Sequence, residues 1–244
     1  MNILIIGDSW SKPDGYTEPQ IPPNFSTTLL PLEYYLMSKG HRVFNRGEGG
    51  RGNMNSLRLG TYFVKMANHL GINLDLIIYF NSDLSRDRQT IYSGHWDELT
   101  GKTEIKQYPK TLKGISDEIY SIHKQNLDTL RGLHKGKWAV IGGCAPLYNL
   151  SDFSFADFII EDWRSEIIGV DLPECYTVSS VNGSLSWALQ GTDNWDVKAQ
   201  LVEAQEIVID AMDKSDDFPD CAHPGADAHE KLTNKLHELF QMLP

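Results

Sequence analysis

Asn2-Ile3-Leu4-Ile5-Ile6-Gly7-Asp8-Ser9-Trp10 is the stretch that decides the fold. Ile3 to Ile6 form an unbroken apolar run, too short for a core helix and without alternation. Such a run reads as a strand buried on both faces, the kind that parallel sheets contain. Gly7 ends it, and open α/β sheets bind their ligands in the crevice beyond the carboxyl ends of their strands. Ser9 therefore stands where chemistry is expected, as a candidate nucleophile.

A serine hydroxyl attacks poorly until a base takes its proton, and the base needs a third group to hold its tautomer. At the other end of the chain, Asp220-Cys221-Ala222-His223-Pro224 supplies both. Across a turn, the Asp220 carboxylate can reach Nδ1 of His223, which leaves Nε2 to face Ser9. Pro224 then fixes the exit from that turn and opens the last helix.

Between these ends, strand and helix patterns alternate. Residues 10–26 are rich in proline and glycine and read as a loop beside the nucleophile. A helix is expected over 28–38, closed by Gly40, then a second strand at Arg42-Val43-Phe44. Residues 56–70 carry the stripe Leu57, Leu59, Phe63, Met66 and Leu70, consistent with a helix, and 74–80 is the most strand-like run in the chain. Residues 84–114 are polar and irregular, 115–134 look helical, and 137–143 form another strand. From 148 to 195 the periodicity is lost among Phe153, Phe155, Phe158, Trp163, Trp187 and Trp195, which reads as an insertion or cap, of extra core or a lid. A fifth strand at Cys175 to Val178, a helix over 197–212 and a terminal helix over 226–243 with Leu232, Leu236, Leu239 and Phe240 inward complete the pattern. The expectation is one α/β domain over 1–244, three-layered α/β/α, with a parallel, flavodoxin-like five-stranded sheet and insertions around 10–26, 84–114 and 148–195.

Composition narrows the partners. The 244 residues hold 22 basic and 33 acidic side chains, a net charge of −11. That balance is poor for gripping nucleic acid or an anionic membrane surface. Cys144, Cys175 and Cys221 are odd in number and widely spaced, which suggests neither a disulfide framework nor a metal site. The first apolar run lacks a basic leader, and no window approaches the ~20 apolar residues of a membrane span. A reducing, cytoplasmic setting is expected, with a virion or non-classically secreted location left open.

The order of these elements, with the residues at their ends, resembles the SGNH hydrolases, the GDSL esterase/lipase family. Gly7-Asp8-Ser9-Trp10 is similar to the first block of that family, with its nucleophilic serine. Asn45-Arg46-Gly47-Glu48-Gly49-Gly50 resembles the second, Asn-x-Gly-x-x-Gly, whose last glycine, here Gly50, donates a backbone N–H to the oxyanion. Phe80-Asn81-Ser82-Asp83 sits where Gly-x-Asn-Asp belongs, and 220–224 match Asp-x-x-His-Pro in full. In the third block the oxyanion side chain is Asn81 when the asparagine is aligned, or Ser82 when Asp83 is. The amide reaches further than the hydroxyl, which favours Asn81.

The resemblance implies a serine esterase of carboxylesterase, acetylesterase or lipase type. Ser9 would form the acyl-enzyme, His223 serve as base and then acid, and Asp220 orient it. The Ser9 and Gly50 N–H groups with Asn81 would form the oxyanion hole. A small-molecule, glycan or lipid acyl ester is the implied substrate, with no cofactor and no metal. Two other readings stay beside it: a non-catalytic binding or structural module on the same fold, and a nucleotide-binding protein using the glycine-rich run from Gly47 to Gly52. The run's place after the second strand rather than the first counts against the latter. His229 and His237, on the terminal helix, read as surface or core rather than metal ligands.

Overall fold

The computed structural model describes residues 1–8, 10–11, 32–49, 51–82, 87, 96–97, 102–103, 112–143, 147, 150–168 and 224–241. Its central feature is a five-stranded parallel sheet built from β1 (Asn2–Ile6), β2 (Arg42–Asn45), β3 (Leu76–Asn81), β6 (Lys137–Gly142) and β7 (Phe158–Ile160). The spatial order is β2-β1-β3-β6-β7. Counted within the sheet alone this is 2-1-3-4-5, the flavodoxin-like order. Ile3 pairs with Val43 on one side and Leu76 on the other, so β1 lies between β2 and β3. The chain leaves β1 toward β2 and then returns across to β3. That reversal is the switch point at which a ligand crevice opens.

The strands are apolar throughout because both faces are covered. On one face Ile3, Ile5, Ile78, Phe80 and Ile141 pack with Leu32 and Leu36 of α1 (Leu32–Ser38), Trp163 of α4 (Trp163–Ile168), and Leu232 and Leu236 of α5 (Ala226–Gln241). On the other, Leu4, Ile6, Ile77, Tyr79 and Val140 pack with Leu57, Phe63 and Val64 of α2 (Asn53–His69) and Leu127 and Leu130 of α3 (Leu112–Leu133). Helices on both faces of a parallel sheet make three layers, as the strand pattern implies.

Three details differ from the sequence expectations. The stripe of α2 is rotated: Met54, Leu57, Gly60, Phe63, Val64 and Ala67 face inward, while Met66 and Leu70 are 37% and 62% exposed. Gly60 explains the rotation. A Cβ there would come within 3.0 Å of Ile6 Cδ1 and 3.1 Å of Leu130 Cδ2, so the helix settles close to β1 and α3 along its small residues. The fifth strand of the sheet is Phe158–Ile160, inside the stretch read as an insertion, and Phe153 and Trp163 beside it are core residues. Cys175 to Val178, expected to supply that strand, and the expected helix over 197–212 lie outside the described residues. Within 84–114, expected to be irregular, β4 (Trp96–Asp97) and β5 (Lys102–Thr103) pair antiparallel.

Candidate active site

Of the candidate catalytic and oxyanion residues, Asn81 and Ser82 are described. Ser9, Gly50, Asp220 and His223 lie outside the described residues, and their neighbours frame the site.

Gly7 follows β1 and lies against Phe80 of β3. A Cβ on Gly7 would stand 2.6 Å from Phe80 Cβ, and its φ of 153° is one that L side chains rarely adopt. Phe80, which replaces the glycine of the third block, thus meets a glycine on the neighbouring strand. Asp8 is fully buried; its Oδ1 accepts the Trp10 N–H at 3.0 Å, and its carbonyl accepts Ser11 N–H at 3.1 Å and Ser11 Oγ–H at 2.7 Å. An aspartate that bonds the backbone two residues ahead closes a tight turn. Trp10 is 1% exposed and edge-on to Trp163 at 6.0 Å between ring centroids. Trp163 in turn packs against Phe80 at 5.6 Å and against His229 of α5 at 5.2 Å.

The second block lies against the first. Asn45 Nδ2 donates to the Ser11 carbonyl at 3.0 Å while its Oδ1 accepts the Gly47 N–H at 2.9 Å. Glu48 N–H and Ser56 Oγ–H both donate to the Gly7 carbonyl, at 3.3 and 3.2 Å. A Cβ on Gly47 would fall 1.9 Å from Ser11 Oγ, so glycine alone fits there without displacing the turn. Arg51 pairs with Glu48 on the outer side of this connection.

The third block is tied to the start of α2. Asn53 Nδ2 donates to the Ser82 carbonyl at 2.6 Å, and Asn53 Oδ1 accepts both Ser82 N–H and the Tyr79 hydroxyl, each at 2.7 Å. Tyr79 Oη also stands 3.4 Å from Asn81 Oδ1. Tyr79 and Asn81, two apart on β3, share the α2/α3 face. Asn53, Tyr79 and Ser82 are fully buried and Asn81 is 1% exposed. Asp87 caps the helix: its Oδ1 accepts the Met54 N–H at 2.9 Å, satisfying a donor at the end that favours negative charge. The fourth block leads into α5 through Pro224 and Gly225, both buried.

Described segments of the first three blocks therefore converge at the carboxyl ends of β2, β1 and β3. Sequence reasoning missed Asn53, Tyr79 and Asp87. One signal was available: a tyrosine in an otherwise aliphatic buried strand needs a hydrogen-bond partner nearby. His229 and His237 stand apart from these segments. His229 is fully buried against Trp163, and His237 Nδ1 is 3.4 Å from Nε2 of His41. Burial, the α-amino group of Met1 and His237 together hold His41 below the usual histidine range. Among the described residues no three His, Cys, Asp or Glu side chains cluster as metal ligands, and no helix is long and apolar enough to cross a membrane.

Parallel strands in flavodoxin-like order, with three motif-bearing segments at their carboxyl ends, define an open α/β protein, a class that places its ligands at the switch point. Neither a family model nor a curated protein matches the sequence at a significant level. Similar solved structures do exist. One is a psychrotrophic esterase from a Pseudoalteromonas species, inhibited by monoethylphosphonate, with 12% identity, a TM-score of 0.42, and 98% of this chain aligned to 96% of that one. Another is a carbohydrate acetylesterase family member from Sinorhizobium meliloti, with 15% identity, a TM-score of 0.40, and 99% of this chain aligned to 97% of that one. A GDSL-like lipase from Parabacteroides merdae is similar at 12% identity and a TM-score of 0.37, with 98% of this chain aligned to 95% of that one. The likeness concerns the course of the chain; the chemistry of the site rests on the residues described above.

Proposed function

We propose that the protein is a serine esterase of SGNH type. Ser9 Oγ attacks the ester carbonyl while His223 takes its proton, and Asp220 holds the imidazole in the required tautomer. The tetrahedral oxyanion is bound by the N–H groups of Ser9 and Gly50 and by the Asn81 side chain. His223 then protonates the departing alcohol, and water, activated by the same imidazole, releases the acid from the acyl-enzyme.

The observation that carries this reading is the convergence of the first three blocks. Gly7 and Ser11 bond to Asn45, Glu48 and Ser56, and Asn53, three residues after Gly50, bonds to Ser82. A nucleotide site on the run from Gly47 to Gly52 is disfavoured by the same contacts. Asn45 takes the Gly47 N–H, and the Met54 N–H in the first turn of α2 meets Asp87, a carboxylate that would repel phosphate.

A fluorophosphonate reporter tests the proposal. One adduct per chain, on the peptide containing Ser9, is expected, with ester hydrolysis abolished in Ser9→Ala. Labelling elsewhere, or undiminished hydrolysis in that variant, refutes it. Absence of both labelling and hydrolysis would favour the non-catalytic module.

A further inference from the structure

Asn53 belongs to none of the four blocks, yet its side chain makes three hydrogen bonds in the described site. It opens α2 three residues after Gly50 and is fully buried. Its amide faces Ser82 as a neighbouring strand would. The carbonyl oxygen takes the Ser82 N–H at 2.7 Å, and the NH2 group gives a hydrogen to the Ser82 carbonyl at 2.6 Å. Both backbone groups of one residue are thus met by one side chain, just where the sheet stops: the last ladder pair of β3 is Asn81 with Gly142. A buried backbone beyond the ladder needs such a partner, or its polar groups go unsatisfied.

We propose that Asn53 is a positioning residue for the oxyanion hole, fixing the Asn81–Ser82 end of β3 against the start of α2. The proposal rests on the esterase reading. An oxyanion hole works because its donors are aimed before charge develops, and a displacement of ~1 Å can cost about 10²-fold in rate. Gly50 and Asn81 come from separate segments of the chain. Asn53 is joined to the first by three residues of backbone and to the second by hydrogen bonds that fix both distance and direction. Tyr79 completes the arrangement: its hydroxyl donates to the same Asn53 oxygen at 2.7 Å and lies 3.4 Å from Asn81 Oδ1. Few side chains can replace Asn53. Aspartate keeps the acceptor but sets a carboxylate oxygen against the Ser82 carbonyl, leucine keeps the volume but satisfies neither group, and glutamine is one methylene too long.

The test compares wild type with Asn53→Asp, Asn53→Leu and Tyr79→Phe, using a short-chain p-nitrophenyl ester and an alkyl boronic acid. The boronic acid forms a tetrahedral adduct on serine and reports oxyanion stabilisation separately from substrate binding. For both Asn53 variants kcat should fall about 10²-fold with KM within about twofold, and the boronic acid inhibition constant should rise by a similar factor. Tyr79→Phe should lower kcat by a smaller factor in the same pattern, since it removes one of the bonds that aim Asn53. A purely structural asparagine would lower the melting temperature while leaving folded enzyme with wild-type kcat, and that outcome overturns the proposal. If the Asn53 variants do not fold, Tyr79→Phe decides: unchanged kcat and boronic acid affinity also overturn it. A wild-type protein that neither hydrolyses the ester nor reacts with the fluorophosphonate defeats the esterase reading itself, and this inference with it.

Discussion

Acidification should weaken the fold through one buried histidine. His123 of α3 is 1% exposed, with the rings of Tyr79 and Phe153 at 6.3 and 6.5 Å. Burial pushes its pKa from 6.5 down to about 4, with the Asp152 carboxylate acting weakly in the opposite direction. Asp152 is itself engaged by the Tyr120 hydroxyl and by Lys124 at 3.1 Å. In the unfolded chain His123 takes a proton near pH 6.5, whereas in the folded chain it resists until about pH 4. Between those values the unfolded state binds more protons, so stability falls as pH falls through the window and the loss is complete below it. At about 1.4 kcal/mol per unit, the full cost is about 3 kcal/mol, a substantial part of the ~5–15 kcal/mol that holds a domain together. Urea unfolding of wild type and His123→Phe at ~pH 7.5 and ~pH 4.5 measures it. Any pH-independent cost of the substitution enters both measurements equally, so the comparison isolates the proton. The wild type should lose about 2–3 kcal/mol more than the variant over that interval. Equal losses would show that His123 is not held neutral by burial, and the reasoning would fail.

His223→Ala should remove nearly all turnover while Asp220→Ala retains more, since one moves the proton and the other positions it; kcat/KM above about a tenth of wild type in His223→Ala would refute the assignment. The rate of ester hydrolysis should rise with pH through a group titrating near ~6–7, the usual range of a histidine base. Asn81→Ala should cost about 10²–10³ in kcat with KM nearly unchanged and Ser82→Ala little, whereas the reverse pattern transfers the oxyanion role to Ser82. Gly142→Ala should lower the melting temperature by roughly 5–10 °C, about 3 kcal/mol of overpacking. Its Cβ would stand 2.0 Å from the Glu161 carbonyl oxygen, a backbone atom that cannot swing aside. An unshifted melting curve would contradict that contact.

The strands were legible because strands buried on both faces leave uninterrupted apolar runs. Ile3 to Ile6 and Leu76 to Phe80 could be read directly, and the carboxyl end of the first marked where the candidate site was to be sought. Helix faces were harder. In α2 the small residues Gly60 and Ala67 mark the packed side, and a hydrophobicity pattern passes over them in favour of Met66 and Leu70, which face outward. Phe158–Ile160 escaped notice because three residues at a sheet edge carry too little periodicity. The Asn53–Ser82 clamp was illegible for a different reason: the two residues are 29 apart, and no local spacing encodes their meeting.

The strand order β2-β1-β3 also acts as a ruler. The first three blocks follow three adjacent strands, with that of the candidate nucleophile in the middle, and neighbouring strands lie about 4.8 Å apart whatever their sequence. Under the esterase reading, the spacing of the strands that lead to the attacking group and the oxyanion donors is inherited from the hydrogen-bond lattice of the backbone, and side chains such as Asn53 set the final aim. Mutations can then remake the segments joining the strands, and with them the range of acyl groups admitted, while the strand spacing beneath the site is not free to drift.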